Sequence, residues 1–329
     1  MPKAFELPFS RLDSYHGFYA FSAFLLAFPV FSQDPYILNI FIISLIFSIL
    51  AVSWNFICGY TGIFTFGHQA FFGLGAYVSA LLSMKLNVSP WFGLVIGGLA
   101  SGTISFLIGL PCLRLKAAPY IAIMTLAFSE ILRITCMNLV NLTRGEMGLW
   151  GIPNFPDVSL GSYTINFGGA DRVPYYYLIL IVFIVLMICL SAVLKSPIGL
   201  AFKSIRDSQE AAESIGINVT RYKLLAFVAS AFFAGVVGSF YAHYILILTP
   251  TSLFNLGIMV EIMAMTLMGG LGTFLGPVLV AFGLTVGLEY LRFLGDYRFI
   301  TYGILLVLIV IFMPQGLGKK IFKDRELAT

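Results

Sequence analysis

Asp207 and Glu210 stand three residues apart in a polar interval, Ser196 to Lys223, that separates two long apolar runs. At that spacing an N-cap Asp accepts hydrogen bonds from free backbone N–H groups while an N3 Glu reaches back toward the cap. Gly216 then supplies a stop. The spacing predicts a helix over Ser208 to Ile215, roughly 12 Å long. Ala211 and Ala212, beside Ile215, are small enough to let another surface approach closely. The chemistry this pattern offers is recognition by something soluble.

A second set of polar residues lies inside apolar runs. His68 carries two ring nitrogens that need partners at membrane depth, and a structural hydrogen bond outweighs substrate contact as its reading. Glu130 and Arg133 share one side of a helix, and each alone would cost about 2.5 to 3.5 kcal/mol at a bilayer centre. Local pairing lowers that cost, so a structural pair is favoured over a substrate site. Tyr120 and Thr125 could offer hydroxyls to a cavity. Glu261, an intramembrane carboxylate, is a functional candidate by default, with an interfacial position as the alternative. His243 and the Glu289–Arg292 pair read as interfacial.

Other reaction classes find no support in the residues. No G-x-x-x-x-G-K-[ST] is present to hold a nucleotide, and no H-E-x-x-H to hold zinc. His16, His68 and His243 lack metal-ligand spacing, and the four cysteines, Cys58, Cys112, Cys136 and Cys189, form no C-x-x-C pair. No basic run interleaved with aromatics suggests nucleic acid.

The elements that must position these residues are membrane helices. Of 329 residues, 59% are hydrophobic and only 10% charged, well outside the soluble range. Ten apolar runs suit helices crossing about 30 Å of hydrocarbon. They fall at about residues 15–32, 37–58, 68–84, 91–110, 118–140, 175–194, 224–248, 258–271, 276–292 and 299–313. The first is read as an uncleaved helix. Placing the start of the chain inside puts 13 of the 19 Lys and Arg on one side. Among them are Lys195, Lys203, Arg206, Arg221 and Lys223 of the polar interval, so both termini and that interval are predicted to be cytoplasmic.

Two Gly-rich stretches interrupt the runs: Gly59-Tyr60-Thr61-Gly62, and Gly269-Gly270-Leu271-Gly272 with Gly276-Pro277. Irregular backbone at membrane depth survives only where protein or a water-filled cavity surrounds it. Both stretches are therefore pathway candidates, as broken helices or re-entrant hairpins. The long loop from Asn141 to Pro174 could shape an external docking face.

Glu210-Ala211-Ala212-x-x-x-Gly216 resembles the coupling motif of ABC importer permeases, in which a short cytoplasmic helix docks on a separate ATPase. Ile217-Asn218 follows where many importers carry Leu-Pro. Around it stand Ser196-Pro197-x-Gly199-x-Ala201, Ile205-Arg206-Asp207 and Lys223-Leu224-Leu225-Ala226-Phe227. A second match is Gly59-Tyr60-Thr61-Gly62-x-x-x-Phe66-Gly67-His68-x-Ala70-Phe71-Phe72-x-x-Gly75-Ala76-Tyr77. This series is similar to the branched-chain amino acid permease family, and to the longer of its two permease subunits.

The resemblance implies an all-α polytopic membrane protein of the ABC importer permease type, with about ten transmembrane or re-entrant helices. Residues 1–329 would form one transmembrane permease domain carrying a cytoplasmic coupling loop at 196–223. Asp207, Glu210, Ala211, Ala212 and Gly216 would couple to the ATPase. Gly59, Gly62, His68, Gly75, Tyr120, Thr125, Glu261, Gly269, Gly270 and Gly272 are candidates for the translocation path. The implied partners are a second permease subunit, two ABC ATPase subunits that bind the ATP, an extracytoplasmic substrate-binding protein and membrane lipid. No cofactor or metal belongs to the chain itself, and a bacterial-type inner membrane is the expected location. The expected cargo is a branched-chain or other hydrophobic amino acid, with urea or short amides as rivals and a passive solute channel as the alternative of another class.

Overall fold

The computed structural model describes residues 12–113, 118–160, 163–169 and 171–290, with isolated positions between 295 and 323. Its helices are α1 (Ser14–Phe31), α2 (Pro35–Thr61), α3 (His68–Leu86), α4 (Pro90–Cys112), α5 (Ala118–Asn138) and α6 (Val140–Thr143). They continue with α7 (Val173–Leu194), α8 (Pro197–Asp207), α9 (Gln209–Ser214), α10 (Val219–Ile245), α11 (Pro250–Leu253), α12 (Leu256–Gly269) and α13 (Gly276–Tyr290). Strands occur only as short pairs among the described residues. β1 (Leu12–Asp13) runs parallel to β6 (Phe322–Lys323), β2 (Leu149–Trp150) pairs antiparallel with β5 (Ile247–Leu248), and β3 (Val158–Leu160) forms a hairpin with β4 (Tyr163–Ile165).

Six of these segments are long and apolar enough to cross a membrane: Pro35–Thr61, Pro90–Cys112, Pro119–Asn138, Val173–Leu194, Val219–Ile245 and Pro250–Gly269. The apolar stretches Gly17–Phe31 and Gly276–Tyr290 are shorter. The all-α membrane architecture is as expected, whereas the count of about ten is not confirmed among the described residues. The eighth run, at 258–271, falls on α12, which the span Pro250–Gly269 extends back through α11, and the tenth, at 299–313, lies almost wholly outside the described residues.

Local sequence explains where the helices begin and end. Asp34 accepts from the Tyr36 N–H at 2.9 Å while Pro35 opens α2 without needing a donor partner. Gly62 closes it at φ 74°, a backbone conformation that costs a residue with a side chain more than it costs glycine.

The core is built around α2 and α10. α10 packs along α3 and α4, and α2 packs along α10, α13 and α7. Lipid tails are as apolar as leucine, so association between such helices depends on close packing and hydrogen bonds. The α3–α4–α10 contact shows both devices. A Cβ on Gly75 would overlap the Gly235 backbone, and one on Gly238 the Phe72 carbonyl. Ser239 donates to the Gly75 carbonyl at 3.0 Å and Ser101 to the Phe71 carbonyl at 2.9 Å.

Candidate coupling and translocation site

The polar interval folds as two helices rather than one. Ser196 caps α8 by accepting from the Ile198 N–H at 3.2 Å, and Pro197 follows at the first helical position. Gly199, Ala201, Phe202 and Ile205 turn inward, so this half of the interval is an amphipathic helix lying on the bundle.

The second helix, α9, corrects the expected cap. Asp207 is the last residue of α8, and Ser208, extended at φ −159° and ψ 116°, caps α9 by accepting from the Ala211 N–H at 3.3 Å. Gly216 ends the segment at φ 88°, as its position predicted. Replacing Ser208 with Ala removes that acceptor and is expected to cost about 1 kcal/mol of local stability. Faster amide exchange at Ala211, with the transmembrane helices unchanged, is the result that checks it.

The two alanines do different work. Ala212 is buried against Ile205 and Val219, which seats α9 on its own chain, while Ala211, Glu210 and Ile215 are exposed. Lys223 donates to the Gln209 side-chain oxygen at 2.8 Å and holds the start of α9 against α10. One face of α9 is thus fixed and the other is free to meet a partner.

Arg206, at the end of α8, lies against the second Gly-rich break and near the first. A Cβ on Gly272 would overlap the Arg206 guanidinium, and one on Gly62 would come within 3.8 Å of the Arg206 Cα. Sequence reasoning noted Arg206 only as a motif position and a positive charge.

The first break, residues 62–67, rises inside the protein from the end of α2 to the start of α3. Its backbone groups find protein partners, as membrane depth requires. Trp54 donates to the Thr65 carbonyl at 3.0 Å, and the Phe66 N–H donates to the Thr125 hydroxyl at 3.0 Å. Thr125 is 1% exposed, so its hydroxyl clamps this segment and does not line a cavity. Tyr120, in contrast, is 61% exposed. His68 is buried, with Nε2 2.8 Å from the Ser53 hydroxyl, which is the structural hydrogen bond expected of it.

The second break is the turn between α12 and α13, where Gly270 and Gly272 both take positive φ. Asn55 of α2 pins it with both ends of one amide. Its Nδ2 donates to the Thr273 carbonyl at 2.9 Å, and its Oδ1 accepts from the Gly272 N–H at 2.9 Å. Gly59 lies beside the same contact, since a Cβ there would strike Asn55 and the Gly272 backbone. Gly269 faces Gly276 closely enough that neither has room for a side chain. Asn55 was missed in the sequence, although an amide inside a long apolar run is itself a signal that something needs its hydrogen bonds.

The remaining candidates are dispersed. Glu261 is partly buried on α12, and Gly75 lies in the helix contact described above. His243, near the end of α10, is fully buried within the protein, with Nε2 2.8 Å from the Ser79 hydroxyl and Nδ1 2.8 Å from the Pro153 carbonyl. Glu289 accepts from the Tyr36 hydroxyl at 2.9 Å, and Arg292 lies outside the described residues. Arg133 Nε donates to Glu130 Oε1 at 2.9 Å, so the expected intrahelical pair forms. Arg144 of the 141–174 loop stacks 4.5 Å above the Trp150 ring.

These features define a multi-pass helical membrane protein with a surface helix tied to two broken segments in its interior. The chain belongs to the family described as the branched-chain amino acid transport system permease component, which it matches over residues 36–313. It is 32% identical over 290 residues to the high-affinity branched-chain amino acid transport system permease protein LivM of Salmonella typhimurium, covering 83% of this chain and 68% of that protein. LivM of Escherichia coli K12 is likewise 32% identical, over 84% and 68% of the two chains. LivH of Salmonella typhimurium is 22% identical over 82% of this chain and 90% of its own length. No solved structure matches.

Proposed function

We propose that the chain is a permease subunit of an ATP-driven importer of branched-chain or other hydrophobic amino acids. The observation that carries this reading is α9: a short capped helix with one seated face, one exposed face and a link through Arg206 to both Gly-rich turns. In this reading the exposed face, carrying Glu210 and Ala211, docks on an ATPase subunit that binds the ATP. Arg206 passes the movement to the turns at Gly62 and Gly272, which act as hinges beside the path. ATP binding and hydrolysis then bias two states of the permease through their different contacts with α9.

LivM and LivH, both named as permeases of one transport system, support a pair of permease subunits, and this chain takes the LivM place in it. A second copy of the ATPase and an extracytoplasmic binding protein complete the assembly. The distribution of Lys and Arg supports a cytoplasmic α9 in a bacterial inner membrane.

The test is ATP-dependent uptake by proteoliposomes holding the complete assembly. Leucine uptake that requires ATP supports the reading. Uptake of urea alone moves the substrate and keeps the coupling. A nucleoside arm is warranted because a nucleoside ABC transporter permease protein, NupC of Lactococcus lactis, is 22% identical over 56% of this chain and 60% of its own length. Flux without ATP would favour a channel and overturn the proposal.

A further inference from the structure

The open face of α5 is charged at a depth where lipid does not cover charge. Thr125 and Ser129 turn into the bundle, whereas Tyr120, Ile123, Ile131 and Ile134 are each 48% exposed or more. Glu130 and Arg133 stand on the flank of this face, still open, with side-chain exposures of 44% and 29%. Within the span Pro119–Asn138, they stand roughly 2 and 7 Å past the midpoint at 1.5 Å per residue. Ionised side chains at such depth face a protein interior or a water-filled cavity.

The pair also retains binding capacity. Arg133 meets Glu130 through Nε and Nη2, both on Oε1, while Nη1 reaches only the Met137 sulfur, at 3.3 Å. A thioether is a weak acceptor. Among the described contacts, Oε2 of Glu130 accepts no hydrogen bond. One strong donor position and one carboxylate oxygen, on side chains three residues apart, therefore remain available.

We propose that Glu130 and Arg133 form a relay site for a zwitterionic α-amino acid in a water-filled path against α5. Glu130 receives the ammonium group, Arg133 the carboxylate, and Ile134, one turn from Glu130, the apolar side chain. The adjacent opposite charges of the pair match the adjacent opposite charges of the ligand, a pairing of the charge-assisted kind. A second permease subunit closes the far side of the path. This inference rests on the amino acid permease reading above.

The test uses the complete assembly in proteoliposomes and measures leucine delivered per ATP hydrolysed. The double variant Glu130→Gln with Arg133→Gln removes both charges and leaves neither orphaned. The relay site predicts that its delivery per ATP falls about tenfold or more, as for loss of one charge-assisted hydrogen bond, while assembly and ATPase activity stay. The exchange Glu130→Arg with Arg133→Glu keeps a local pair but inverts its polarity, and it is expected to fail equally. Full delivery by the exchange variant would show a purely structural pair and overturn the site. If the double variant does not assemble, Arg133→Lys, which keeps the charge but loses the planar fork, carries the test, with unchanged delivery again overturning the site. A wild-type assembly that moves no amino acid overturns the permease reading as well.

Discussion

Glu210→Arg and Ala211→Trp are each expected to abolish ATP-dependent uptake while the chain still inserts and folds. Both residues lie on the exposed face of α9, and neither contributes to the cluster of Ile205, Ala212 and Val219 that seats the helix. The folded chain therefore has little to lose from either change. A docked partner has much to lose, because a bulky or inverted side chain in the centre of a contact costs about 2 to 4 kcal/mol. That is a loss of about 30- to 1000-fold in affinity. Copurification of the ATPase subunits with the permease checks the first half of the expectation, and uptake the second. Normal values of both would remove α9 from the interface. Ala212→Trp makes the contrast: it strikes the seated face, so it should disturb the chain itself before any partner is added.

Asn55→Leu is expected to be the most damaging single change in the interior. The two side chains are close in size, so packing is nearly kept, but the Gly272 N–H and the Thr273 carbonyl both lose their partner. Each orphaned buried group costs about 1 to 3 kcal/mol, which places the total at about 2 to 6 kcal/mol. Unfolding in graded denaturing detergent measures it, and Asn55→Ser tests the cause by restoring polarity without reach. Stability equal to that of the unchanged chain would mean that the turn finds other partners and that Asn55 is not its anchor.

Much of the architecture was legible in the sequence because hydrophobic length is a local property. The runs predicted at 37–58, 91–110 and 175–194 correspond to α2, α4 and α7, and both Gly-rich breaks fall where glycine spacing placed them. What escaped depended on contacts distant in the chain. Asp207 has the right spacing for a cap, but α8 extends through it and leaves Ser208 in the extended conformation that caps α9. His243 reads as interfacial near the end of a helix, and nothing in the sequence signalled that the 141–174 loop would fold back and cover it with Pro153. Thr125 reads as a pore hydroxyl until the 62–67 segment arrives to use it. The site was legible as a set of motifs but not as an arrangement, since Arg206 comes against Gly272 and near Gly62 only through the fold.

A single turn of α2 holds the stretch from Thr65 to His68, the turn after α12, and α10. Ser53 meets His68 at the start of α3, Trp54 holds Thr65 in the first break, and Asn55 holds the turn after α12. The Ser53 carbonyl also accepts from Ser230 of α10 at 2.7 Å. A rod with fittings at successive angles behaves as a camshaft. Turning it by about 20° sweeps side chains at a radius of about 5 to 6 Å through about 2 Å, more than a hydrogen bond tolerates. Small rotations of α2 therefore cannot be absorbed one bond at a time. The attached segments must follow together or let go together, so this turn of α2 resists small rotations as a unit.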